Sequence, residues 1–182
     1  MEYLLEKELN IKEDYLNVVF RIMAGDETQM MKVEYINPFI EASIKIFRTV
    51  ANMEVELGKI FLKQDPYSAE TMLVMIGITG GLRGRVIISM DLEIALKVAS
   101  HMMEMEVLEL DELAQSAVME LCNMILGTAT TILANRDLEV DITPPTLLMG
   151  SNMKIFSNQQ QTICVPLTSG DGKDVELNIT LS

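Results

Sequence analysis

Tryptophan is absent from this 182-residue chain, and aromatic residues of all kinds make up only 5 % of it. Methionine is abundant instead, at 15 residues, and its flexible thioether fills irregular gaps in a core, the use expected for most of them. Histidine occurs once, as His101 among Ser100, Met102 and Met103. No second His or Cys stands at ligand spacing, so no metal site is expected on this chain. The two cysteines, Cys122 and Cys164, lack paired-ligand spacing as well and are expected to be reduced, buried thiols. Positive charge is in deficit: 14 Lys and Arg face 27 Asp and Glu, a formal net charge of −13. That balance excludes a nucleic-acid partner, which needs a basic footprint, and argues against attachment to an anionic membrane. No uninterrupted apolar stretch reaches the roughly 18–20 residues that span a bilayer. The start, Met1-Glu2-Tyr3-Leu4-Leu5-Glu6, is acidic and interrupted, unlike a signal peptide. The expectation is a cytoplasmic protein.

The segment from Leu110 to Thr146 is the most informative part of what is present. Read as a helix capped by Asp111, it carries an apolar stripe of Ala114, Ala117, Val118, Leu121, Ile125, Ala129 and Ile132 at three- and four-residue spacing. Ser116, Glu120, Asn123, Gly127 and Thr131 recur at the same spacing on another face. A solvated face normally mixes Lys with Glu. Here a single carboxylate and a carboxamide stand among small neighbours, a surface suited to close approach by another molecule. A Glu and an Asn at this spacing are solvated in most helices, so the pair alone decides nothing.

Along the rest of the chain, Glu13 to Ala24 reads as an amphipathic helix with Tyr15, Leu16, Val19, Ile22 and Met23 on one side, closed by a turn at Gly25–Thr28. Asn37-Pro38 is expected to open a second helix, Asn37 as cap and Pro38 at the first position, running to about Ala51. Strands are expected at Met53–Leu62, Thr71–Thr79 and Arg85–Met90, with a hairpin at Gly80-Gly81-Leu82-Arg83-Gly84. That glycine-rich turn lacks both GxGxxG spacing and the Lys-Ser/Thr of a phosphate loop. Asp91 should cap a helix to about Met105. After the long helix come strands near Leu138–Leu148, Gln161–Thr168 and Val175–Leu181, the last two joined at Ser169-Gly170-Asp171-Gly172, where acidic spacing for a calcium loop is missing. Helix followed by three strands thus occurs twice, with Ala51-Asn52 matching Ala134-Asn135. At that offset Glu120 meets Asn37 and Asn123 meets Ile40, and neither Glu41 nor Glu54 restores the pair. The expected fold is α+β: a pseudo-twofold repeat over residues 31–182, a mostly antiparallel sheet covered by helices, preceded by a helical extension over 1–30.

The pattern Ser116-x-x-x-Glu120-x-x-Asn123, followed after about twenty residues by Thr143-Pro144-Pro145-Thr146, resembles the signature of the CheC/CheX/FliY family of response-regulator phosphatases. The stretches from Met75 to Gly84, from Ile94 to Ser100 and from Leu110 to Ala114 resemble the CheX branch in particular, in which one helix of the repeat is active. The resemblance implies a CheC-like fold and a substrate, the phospho-aspartate of a CheY-like receiver domain. It implies Glu120 and Asn123 as catalytic residues, Asn123 orienting the attacking water and Glu120 pairing with the receiver's lysine. Ser116 and Gly127 are the expected substrate-binding neighbours. It further implies Mg²⁺ held by the receiver, no cofactor on this chain, and a homodimer whose terminal strand Val175–Leu181 offers an edge to a partner. The same family includes non-catalytic receiver-docking and flagellar switch-type adaptors. Retention of both Glu120 and Asn123 favours the enzyme.

Overall fold

The computed structural model describes residues 33–63, 67–68, 72–156, 161–170, 172 and 174–181. The expected helix Glu13–Ala24 and its turn lie outside the described residues. In chain order the elements are α1 (Val33–Thr49), β1 (Val55–Leu57), β2 (Phe61–Lys63), β3 (Tyr67–Ser68), β4 (Met72–Gly80), β5 (Gly84–Met90), α2 (Leu92–Met102), α3 (Glu112–Ala134), β6 (Val140–Ile142), β7 (Thr146–Met149), β8 (Lys154–Ile155), β9 (Thr162–Ser169) and β10 (Asp174–Leu181).

Period-two alternation in the four long strands decides the architecture. Val74, Ile76 and Ile78 of β4, Val86 and Ile88 of β5, Val165 and Leu167 of β9, and Val175, Leu177 and Ile179 of β10 all point to one side. There they meet the apolar stripes of the three helices in a single core. The pairings are antiparallel, and the sheet runs β1, β9, β10, β5, β4, β6, with β2 also on β9 and β7 also on β4. The repeat is visible in this order. The two hairpins, β4–β5 and β9–β10, meet along β5 and β10 at the centre of the sheet. Each half lends its short strands to the other half's hairpin: β1 and β2 pair with β9, while β6 and β7 pair with β4. The expected α+β pseudo-twofold fold is the fold observed.

Several details differ from the sequence reading. The terminal strand is not an edge: β10 is hydrogen-bonded on both sides, to β9 and β5. The edges are the short strands, a consequence of the exchange between halves that chain order does not reveal. α1 starts at Val33, one turn before the expected Asn37 cap, and encloses Pro38. Proline cannot donate to the carbonyl four residues back, here that of Glu34. Arg136 Nη1 donates to that carbonyl instead, at 3.4 Å. The stretch Met53–Leu62 splits into β1 and β2 because Pro166, on the facing strand, has no N–H to offer; only its carbonyl is used, by Gly58 N–H at 2.9 Å. β6 and β7 are likewise separated at Thr143-Pro144-Pro145. α2 stops at Met102, three residues early, as Glu104 turns into the left-handed region at φ 53°. The left-handed residues that close α1 and α3 are Asn52 and Asp137. The structural repeat is therefore offset by two residues from the Ala-Asn match, and the counterparts of Glu120 and Asn123 become Tyr35 and Pro38. The first half still holds no such pair.

The other side of the sheet has a small apolar cluster, Leu73, Ile87 and Ile155, with Met75 and Met153 against it, under the β3–β8 ribbon. α3 as a whole is long and apolar enough to cross a membrane by length and composition, although no uninterrupted apolar run is. The core helix of a soluble protein meets the same criterion, and α3 buries Ala114, Val118, Leu121, Cys122, Ile125, Leu126, Ala129 and Leu133 in the core.

Candidate functional site

The rotational phase of α3 is set at its first turn. Asp111, in extended conformation, accepts the Ala114 N–H on Oδ1 at 2.8 Å, satisfying one of the free donors at the helix start. Gln115 Nε2 donates to the Leu110 carbonyl at 2.9 Å and fixes the entering chain. With the apolar stripe buried from that point on, the opposite positions must face outward. Ser116 and Glu120 are exposed, Asn123 and Gly127 half-buried, and Thr131 exposed. The structure thus brings together on one face all four of the expected site residues, Ser116, Glu120, Asn123 and Gly127.

Their hydrogen bonding divides them. The Ser116 hydroxyl donates to the Glu112 carbonyl at 2.8 Å, and the hydroxyls of Thr130 and Thr131 both donate to the Gly127 carbonyl at 2.9 Å. These three are turned to the helix backbone. Glu120 and Asn123 make no hydrogen bond or ion pair with another described residue. A carboxylate and a carboxamide side by side, one turn apart, are therefore free to bond an incoming molecule. Gly127 has open space where a Cβ would stand, with nothing within 4 Å. No packing demand inside the described residues calls for glycine there. Leu113, three residues before Ser116, continues the same face and is 62 % exposed; it is absent from the expected site residues, and its helical spacing is the signal in the sequence that places it on this face.

The proline-containing stretch lies on the sheet edge beside α3, where Ile142 and Leu147 pack against the core. Across the gap between β6 and β7, Thr143 replaces the missing ladder: its Oγ1 accepts the Gly77 N–H at 2.9 Å and its own N–H donates to the Gly77 carbonyl at 3.0 Å. A Cβ on residue 77 would meet the Thr143 methyl at 3.0 Å, which accounts for glycine in mid-strand. His101 is exposed in the last turn of α2, where Nδ1 donates to the Lys97 carbonyl at 2.9 Å.

Both thiols are buried. Desolvation pushes Cys122 up to about 12. Cys164 is also pushed up to about 12, chiefly by burial and secondarily by the carboxylate of Glu176, which forms an ion pair with Lys63.

The family model described as chemotaxis phosphatase CheX matches residues 72–168. The CheY-P phosphatase CheX of Thermotoga maritima is 40 % identical over 128 residues, covering 70 % of this chain and 83 % of that protein. The CheX of a CheX–CheY–BeF3–Mg²⁺ crystal complex from Borrelia burgdorferi is 34 % identical, with a TM-score of 0.71 over 81 % of this chain and 97 % of its own. A CheC-like superfamily protein from Shewanella sp. PV-4 superposes with a TM-score of 0.75 at 29 % identity, over 84 % of this chain and 99 % of its own.

Proposed function

The chain belongs to the CheX family of chemotaxis phosphatases, and from that membership we propose a specific account of how it works. Its activity is hydrolysis of the phospho-aspartate of a CheY-like response regulator. The observation that supports the residue assignment is the pair Glu120 and Asn123, accessible on one helix face and without partners of their own among the described residues.

An acyl phosphate is already reactive toward water, so the enzyme's task is to place and polarise that water. Asn123 accepts a hydrogen bond from the water through its amide oxygen and donates through its nitrogen to the phosphoryl group. Water oxygen attacks phosphorus in line. The bond to the aspartyl oxygen breaks with its electron pair remaining on the receiver's aspartate carboxylate, and inorganic phosphate leaves carrying the oxygen and protons of the water. Glu120 pairs with the active-site lysine of the receiver and sets the register of α3 across it. Ser116 and Gly127 are small neighbours that allow the helix to come close. Mg²⁺ belongs to the receiver in this account, as the composition of the Borrelia complex suggests.

Residues 31–182 form the phosphatase domain, residues 1–30 an extension to it, and the protein works in the cytoplasm as a homodimer. Exposed large side chains on the short edge strands support assembly there: Phe61 and Leu62 on β2, Leu148 and Met149 on β7. Sedimentation at micromolar concentration should give a species heavier than 20.4 kDa; a monomer would count against the dimer.

The deciding experiment follows phosphate release from phosphorylated receivers of the same organism. Asn123→Ala should slow kcat by about 10²-fold, about 3 kcal/mol, the size of losing one preorganised polar group at a reacting centre. Its binding of the receiver should change little. Glu120→Ala should weaken both binding and rate. An Asn123→Ala variant that hydrolyses at the parent rate, or a parent chain that binds receivers without accelerating phosphate loss, would put a docking adaptor in its place.

A further inference from the structure

The site face of α3 does not begin at Ser116. Leu113 precedes it by three residues and stands in line with Ser116, Glu120, Asn123 and Gly127. Single leucines on a surface are ordinary. What distinguishes this one is that its exposure of 62 % is imposed by local structure. The Asp111 cap fixes where the helix starts, and the Gln115 bond to the Leu110 carbonyl fixes how the chain enters. The preceding loop is held as well: Ser100 Oγ accepts the Val107 N–H at 3.0 Å, and the Ser100 carbonyl accepts the Met105 N–H at 3.1 Å. Val107 and Leu110 pack against the core at this end, so the inward positions are taken. Leu113 cannot turn inward without breaking the cap.

We propose that Leu113 is a specificity-determining contact of the phosphatase face, seated against an apolar patch on the receiver beside its phosphorylation site. The proposal rests on the functional reading given above for Glu120 and Asn123, whose face it continues. Ten residues separate Leu113 from Asn123, about 15 Å along the helix axis at about 1.5 Å per residue. The leucine is therefore too far from the phosphoryl group to take part in chemistry, and within reach of the receiver surface around it. Exposed Asp111 and Glu112 flank it. The patch it fits is apolar with Lys or Arg at its rim, a complement to this strongly acidic chain.

The test uses the full chain, with receiver domains of the same organism phosphorylated by acetyl phosphate and steady-state phosphate release as the readout. Leu113→Ser should raise KM about tenfold, the scale of losing part of a leucine's apolar burial, with kcat within about twofold of the parent. Leu113→Met should restore the parent KM. The increase should persist at high salt, which separates an apolar contact from the Glu120 ion pair. Phe156→Ser is the control: Phe156 is also 62 % exposed but belongs to the opposite side of the sheet, where its carbonyl accepts Arg85 Nη2 at 2.8 Å. It should keep parent kinetics. An active parent whose Leu113→Ser variant retains the parent KM overturns the proposal and leaves the phosphatase reading standing, as does a loss confined to kcat. A parent inactive on every receiver overturns that reading and the proposal with it.

Discussion

Gly127 separates what folding requires from what the site requires. A glycine in the middle of a helix costs roughly 0.5–1 kcal/mol relative to alanine, and the space where its Cβ would stand is open. Gly127→Ala should therefore stabilise the fold by up to about 1 kcal/mol while reducing the rate at which receivers are dephosphorylated, because the added methyl sits on the face the receiver must approach. Denaturant unfolding and phosphate release measure the two effects on the same sample. A variant that is both more stable and fully active would show that close approach at Gly127 is not needed. At this scale the candidate site was legible in the sequence: helical period assigned Ser116, Glu120, Asn123 and Gly127 to one face, and the scarcity of charge there marked it as unlike a solvated surface. The orientation of the hydroxyls was not legible. Ser116, Thr130 and Thr131 turn to the backbone while Glu120 and Asn123 do not, a difference settled by local geometry that spacing does not encode.

At the scale of elements, caps were read more easily than prolines. Asp91 and Asp111 each accept an N–H three residues on, at 2.8 Å, as a short acidic side chain before an apolar-periodic run suggests. Asn37-Pro38 has the same outward form but lies inside α1, because the Glu34 carbonyl freed by Pro38 has Arg136 as a donor. The partner comes from the turn that follows α3, about a hundred positions later in the chain and beyond the reach of any local rule. The same holds for β1 and β2, parted by Pro166 on a strand more than a hundred positions later in the chain. Loss of the Asp111 cap is the sharper test of how an element serves the site. Asp111→Ala should cost about 1 kcal/mol, a fall in Tm of roughly 2–4 °C for a chain of this length. If the cap fixes the phase of α3, phosphatase activity should fall further than the small loss of folded protein explains, and Asp111→Ser should recover both. Stability lost with activity intact would mean that core packing alone holds the helix in place.

For the molecule as a whole, both cysteines lie where water does not reach: Cys122 in the helical core beneath α3, and Cys164 on β9, where it pairs with Phe61 of the exchanged strand β2. Their thiols are held protonated by burial, pushed up to about 12 from 9.0 in the unsheltered state. The sign of the resulting pH effect follows from which state binds the protons. Well below pH 9.0 folded and unfolded chains are both almost wholly protonated at these sulfurs, and the thiols leave stability unchanged with pH. Between 9.0 and about 12 the unfolded chain releases the protons while the folded chain keeps them, so folding stability falls as pH rises through that window. The Cys122→Ala, Cys164→Ala double variant should lose less stability between pH 8 and pH 10.5 than the parent. A second readout needs no pH change: a thiol reagent at pH 8 should leave the native protein unlabelled and modify both cysteines once denaturant unfolds it, since the thiolate is the reactive form and access is closed. Cys164 is the more demanding case, because it lies beside the Lys63–Glu176 ion pair, whose side chains keep partial exposure. Labelling of Cys164 at the unfolded rate in native protein would mean that this side of the sheet opens to solvent far below the cost of global unfolding. Labelling of Cys122 would mean the same of the packing beneath Glu120 and Asn123, and a site that needs a rigid helix face could not then work as described.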